Sequence, residues 1–94
     1  PTEELQEIGK RVEAIGFVDR NFTHGGAGGG GIGTIETARA LYPLEDRPHL
    51  LGFIAGIGGR DVTPDNLRYM AEKVLKTCDT GKVEKMVEWV QLRA

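Results

Sequence analysis

Ninety-four residues, 39% of them apolar, with a net charge of −2, make at most one domain. They carry no electrostatic footprint for nucleic acid and no polybasic membrane patch. No apolar stretch approaches the roughly 20 residues of a membrane span, and residues 1–13 are an acidic amphipathic segment rather than a signal peptide.

Thr2 is expected to cap a first helix whose first turn holds Glu3 and Glu4, as the positive end of a helix dipole favours. Leu5, Ile8 and Val12 fall on one face, and Lys10 and Arg11 close the last turn. Ala14 to Asp19 is an apolar run without polar alternation, read as a strand covered on both faces. A glycine-rich loop spans Asn21 to Gly33. Thr34 is then expected to cap a helix through Tyr42, with Ile35, Ala38, Leu41 and Tyr42 on its apolar side. Pro43 and Pro48 bracket a polar turn, and Leu50 to Ile57 reads as the second strand.

Thr63-Pro64 is a strong helix start. Leu67, Met70, Ala71, Val74 and Leu75 form its apolar stripe, and Asp79-Thr80-Gly81 breaks it. Val83, Met86, Val87 and Val90 mark a last helix with Trp89 as a packing anchor. The order predicts an α/β fold, a partial open parallel sheet with a βαβ core and flanking helices. Two strands do not make a stable sheet. The chain is therefore expected to be one incomplete domain over residues 1–94, completed by another polypeptide or by the rest of a longer one.

The loop offers a first candidate site. Gly26 to Gly31 and Gly28 to Gly33 both match G-x-G-x-x-G between a strand and a helix, which would bring backbone N–H groups close to a pyrophosphate. A run so rich in glycine matches by chance, and both the acidic ribose partner and the P-loop lysine are absent. A conformational turn is favoured over a phosphate- or nucleotide-binding loop at Gly26–Thr34, which stands as the alternative function.

A second candidate lies at the strand ends. Asp19, Arg20 and Asn21 follow the first strand, and Gly58, Gly59, Arg60 and Asp61 follow the second. In parallel sheets these ends meet ligands and partner domains. The reading favours a cross-loop ion pair with backbone capping; an interface or ligand site is the sharper possibility. With Gly28, Gly31 and Gly33 these residues are the interface or ligand-loop candidates. No base or nucleophile stands with them, so no catalytic residue is assigned. His24 and His49 are isolated, His49 in an exposed turn, and no cluster has metal-ligand spacing. Cys78, the one cysteine, cannot form an internal disulfide or alone hold an iron–sulfur cluster. It reads as a buried or half-buried thiol in a reducing, cytoplasmic compartment.

Four stretches together resemble a known family. They are Phe17-Val-Asp-Arg-Asn21 before the glycine loop, Ala38 to Tyr42, the run Gly52-Phe-Ile-Ala-Gly-Ile-Gly-Gly-Arg-Asp-Val-Thr-Pro64, and Val87-Glu-Trp-Val90. Over roughly Ala14 to Leu92 they look like the C-terminal domain of the alpha subunit of pyruvate:ferredoxin oxidoreductases, whose fold resembles the transketolase C-terminal domain. The resemblance implies an anaerobic-type enzyme that oxidatively decarboxylates a 2-oxoacid with thiamine diphosphate, Mg²⁺, [4Fe–4S] clusters and usually coenzyme A. Other subunits and ferredoxin would be its partners. This chain would be a noncatalytic interface domain, inactive alone and holding none of those cofactors itself. It departs from the family pattern at Thr23-His24 and in the length of the glycine stretch.

Overall fold

The structure, a computed structural model, describes residues 1–20, 31–55 and 62–90. Helices α1 (Thr2–Gly9), α2 (Ile32–Leu41) and α3 (Pro64–Thr80) alternate with strands β1 (Ala14–Asp19), β2 (His49–Ile54) and β3 (Val87–Trp89). The strands are parallel in the order β1-β2-β3, so the expected open α/β architecture holds.

β2 takes the centre because almost every residue in it can be buried: Leu50, Leu51, Gly52, Phe53 and Ile54 are all inaccessible. β1 lies at an edge and alternates half-buried with exposed positions at Gly16 and Val18. The expectation that both its faces are covered is therefore corrected. Helices lie on both faces of the sheet. A Cβ on Gly52 would stand 2.6 Å from Thr34 of α2, whereas one on Gly16 would stand 2.7 Å from Val74 of α3. The α3 side holds the main core: Leu51, Phe53 and Met70, with Val62, Val74, Val83 and Val90 packed around them.

Several local expectations change. Pro1, without a side-chain bond, precedes α1, so Thr2 is its first residue and not its cap. The helix stops at Gly9, so Lys10 is its C-cap and Val12 lies outside it. α2 begins at Ile32 behind Gly31, which puts Thr34 inside the helix. Its buried side is Thr34, Thr37, Ala40 and Leu41, while Ile35 and Tyr42 stay exposed. β2 starts at His49, which is half-buried rather than exposed. Gly56 and Ile57, expected in that strand, lie outside the described residues.

α3 starts as expected. Thr63 Oγ1 accepts from the Asn66 N–H at 3.1 Å, and Asn66 Oδ1 accepts from the Thr63 N–H at 2.9 Å, a reciprocal cap. Met70 and Val74 point inward with Thr77, but Leu67 and Leu75 do not.

The last helix is a strand. Gly81, with φ 73°, closes α3 in the left-handed region that glycine enters without a Cβ penalty. The chain then reaches the free edge of β2, where Gly52 N–H donates to Met86 O at 2.7 Å and Val90 N–H to Ile54 O at 2.9 Å. Valines at 83, 87 and 90 suit either period, and pairing with β2 decides for the strand.

Gly52→Val puts methyl groups where Thr34 already sits and should lower unfolding stability by about 1–3 kcal/mol. Thr63→Ala, which removes the reciprocal cap, should cost about 1 kcal/mol. Chemical denaturation of the two variants beside the wild type checks both values.

Candidate functional site

The carboxyl end of β1 meets the amino end of α2. The α2 N-cap is Gly31, which has no side chain to offer the first free amides of the helix. Asp19, the last residue of β1, supplies the acceptors instead. Its Oδ1 accepts from the Gly33 N–H at 2.9 Å. Its Oδ2 accepts from the Thr34 N–H at 3.1 Å and from the Thr34 hydroxyl at 2.7 Å. The carboxylate thus does the work of a capping side chain from a neighbouring strand, and its charge suits the positive helix end.

The glycines around it answer to this arrangement. A Cβ on Gly31 would overlap the Asp19 carboxylate, and one on Gly33 would overlap the Phe17 ring. Thr34 and Thr37 are each only 1% exposed. Burying their hydroxyls is tolerated because both are bonded, Thr34 to Asp19 and Thr37 to Gly33 O at 2.7 Å.

Of the candidates named from sequence, Asp19, Gly31 and Gly33 come together here, and Asp19 caps backbone as expected. Arg20 follows on the exposed surface. Asn21, Gly28, Gly58, Gly59, Arg60 and Asp61 lie outside the described residues, and with them the cross-loop pair. Sequence reading missed that Thr34 gives both its amide and its hydroxyl to Asp19. The signal was present as a threonine three residues past a glycine run, but it points equally to an N-cap.

A hollow of about 550 Å³, unanticipated from sequence, lies between the start of α3 and β3, lined by Thr63, Asp65, Asn66, Tyr69, Glu88, Trp89 and Val90. In it the Tyr69 hydroxyl donates to the Glu88 carboxylate. That bond, then burial, then the Glu88 charge hold the Tyr69 phenol above its ordinary ionisation range. A smaller hollow of about 270 Å³ at the far end of α3 is ringed in part by Lys73, Lys76, Lys82 and Lys85, with Lys76 paired to Glu84 at 3.4 Å.

The chemistry available is limited. Among the described residues no three His, Cys, Asp or Glu side chains gather where a metal ion could sit, and no helix is long and apolar enough to cross a membrane. Cys78 is half-buried on α3. Among the described residues, this end of the sheet ties elements together and brings no paired base and nucleophile into contact.

Asp19→Ala strands two helix amides and the buried Thr34 hydroxyl, and should destabilise the fold by about 2–4 kcal/mol. Asp19→Asn keeps one acceptor and should cost about half as much; urea unfolding separates the two. The Tyr69–Glu88 bond favours the neutral phenol in the folded state. Its contribution is complete below the ordinary tyrosine range and is lost as pH rises through the higher folded value. Phenolate absorbance in the wild type should therefore keep rising to higher pH than in Tyr69→Phe.

The geometry can be set beside known proteins. The sequence pattern of pyruvate:ferredoxin oxidoreductase core domain II matches residues 1–67. The chain is 40% identical over 93 residues to the ketoisovalerate oxidoreductase subunit VorA of Pyrococcus horikoshii, and 38% identical over 97 residues to the pyruvate synthase subunit PorA of the same organism. It is 30% identical over 93 residues to the pyruvate synthase subunit PorA of Methanothermobacter thermautotrophicus. Each match takes in 99% of this chain, but only 23%, 23% and 21% of the respective relative, so the chain spans less than a quarter of their length. On the matched pattern and these identities, the chain belongs to the pyruvate:ferredoxin oxidoreductase family, whose members compared here are subunits of 2-oxoacid oxidoreductases.

Proposed function

We propose that this chain is a structural and interface domain in the C-terminal part of the alpha subunit of a 2-oxoacid:ferredoxin oxidoreductase, a thiamine- and iron–sulfur-dependent enzyme that oxidatively decarboxylates pyruvate or a related 2-oxoacid. The observation that carries this reading is the Asp19 carboxylate on the α2 amides. In a dinucleotide-binding loop those amides face a pyrophosphate. Here they are satisfied from within, and a fixed negative charge stands where the phosphate would sit. That argues against the phosphate-binding alternative and for a corner that holds strand and helix in register.

The donor set supports a noncatalytic role. One cysteine does not fit a [4Fe–4S] cluster, which needs four ligands. The described residues do not gather the carboxylates that would hold Mg²⁺ on a diphosphate. On this reading thiamine diphosphate, metal, clusters and coenzyme A belong to other parts of the enzyme, as do the ferredoxin contacts. The edge strand β1 also supports an interface. Ala14-Ile-Gly-Phe-Val carries neither charge nor proline before Asp19, and natural free edges are usually guarded by such residues. On this reading its open side continues into a further strand of the enzyme, in a cytoplasmic complex.

Purified from its source, the chain should travel with polypeptides that carry thiamine and iron–sulfur signatures. The assembly should reduce viologen with a 2-oxoacid in a coenzyme A-dependent reaction. Calorimetric titration of the chain with pyrophosphate or ADP should give no saturable heat at millimolar ligand. Saturable binding, lost in Gly33→Val, would instead establish the phosphate-binding module.

A further inference from the structure

β1 has one satisfied side and one open side. His49 N–H donates to Glu13 O and Ala55 N–H to Asp19 O, each at 2.9 Å. In a parallel ladder alternate residues bond to one neighbour. Glu13, Ile15, Phe17 and Asp19 therefore turn their backbone groups to β2. Ala14, Gly16 and Val18 turn theirs outward, and among the described residues no strand meets them. Gly16 and Val18 are exposed.

The helices nevertheless reach past this edge. α2 meets β1 on one face, at Phe17, and α3 meets it on the other, at Gly16. Both pack more on β1 than on β2. A helix is about 10 Å across and strands lie about 4.8 Å apart, so a helix seated on an edge strand also overhangs the place beside it. α1 extends that roof. It packs chiefly on α2, where Gln6 donates to Ala40 O at 3.0 Å and a hollow is shared with Glu36 and Arg39. On α2, Thr34 faces Gly52 of β2 and Gly33 faces Phe17 of β1. At about 100° per residue, Ala40 and Glu36 continue that rotation beyond Gly33. α1 therefore lies outside β1, and among the described residues no strand runs beneath it.

We infer that the slot beside β1 takes one β-strand, apolar on the face beneath α1, from a part of the alpha subunit outside this chain. The strand pairs with the outward N–H and C=O groups of Ala14, Gly16 and Val18, a row that only an extended backbone satisfies. Its side chains under α1 lie beside Ile15 and Phe17, which are half-buried and apolar. A second copy of this chain does not fit. Its β1 carries α2 on one face and α3 on the other, and one of them would strike α1. Ala14 to Val18 has neither charge nor proline, so this edge has no guard of its own against other chains. That favours a strand delivered by the same polypeptide as it folds. This inference rests on the interface reading above and adds the backbone groups, the character of the strand and its source.

Three measurements on the assembled oxidoreductase test the inference. In residue-resolved hydrogen exchange, the outward amides of Gly16 and Val18 should be protected to within about tenfold of the Ile15 and Phe17 amides, which bond to β2; a larger gap overturns it. Val18→Pro removes an outward N–H and no bond to β2, a change that a free edge tolerates. It should lower the yield of assembled complex by about tenfold or more, while Val18→Ile stays near the wild-type level. Undiminished assembly of the proline variant overturns the inference. A diazirine side chain in place of Val18 should crosslink to an apolar segment of the same subunit outside this chain. Crosslinking to a second copy, to a different subunit or to nothing overturns it, and in each of these cases the domain's place in the enzyme, judged by co-purification, stands. Failure of the wild-type chain to assemble with any other polypeptide removes the interface reading and this inference together.

Discussion

Among the described residues, the junction of β1 with α2 depends on one carboxylate. A helix that opens on glycine has no cap of its own, and its first amides cannot be left dry without cost. Asp19 meets them from the end of β1. The other close approaches between α2 and the sheet are consistent with that contact. Gly31 and Gly33 lack side chains where Asp19 and Phe17 press in, and Gly52 lacks one where Thr34 lies flat on β2. The corner is thus three glycines wrapped around an aspartate and a threonine, a packing solution in which the polar groups are spent on one another.

What was legible in the sequence divides by the kind of force involved. Local chemistry read well. Thr63-Pro64 announces α3, and the structure adds the return bond from Asn66. The apolar run Ala14 to Asp19 predicts a strand and forms β1 over those same residues. Readings that needed long-range partners failed. Val83 to Val90 carries a helix-like spacing, yet it becomes β3 because β2 has an open edge within reach. Thr34 looks like an N-cap, and only the arrival of Asp19 from 15 residues earlier in the chain turns it into a buried interior residue. No local rule carries that information, since the capping oxygen belongs to another element.

The α2 helix shows how a wrong expectation can carry information. Its hydrocarbon stripe, Ile35 to Tyr42, was read as the core side. Leu41 of that stripe is buried, but the helix also buries Thr34, Thr37 and Ala40 and leaves Ile35 and Tyr42 exposed. Hydroxyls are tolerated inside because each has a partner, and small side chains let α2 sit close to the sheet. Hydrocarbon left outside has no such compensation in water. The sequence stripe therefore fails to mark the core side, because bonded hydroxyls and a small alanine fit closer to the sheet than isoleucine and tyrosine do.

β3 makes the same point from the sheet. It is three residues long, tied to β2 through bonds at Met86 and Val90, and one side chain of it, Glu88, is held by Tyr69. Its other two residues, Val87 and Trp89, pair with Gly52 and Ile54 of β2. A strand so short gains little from its ladder alone, and Trp89 is a costly residue to leave half in water. Its position therefore leans on the turn at Gly81 that ends α3 and on the hold of Tyr69 on Glu88.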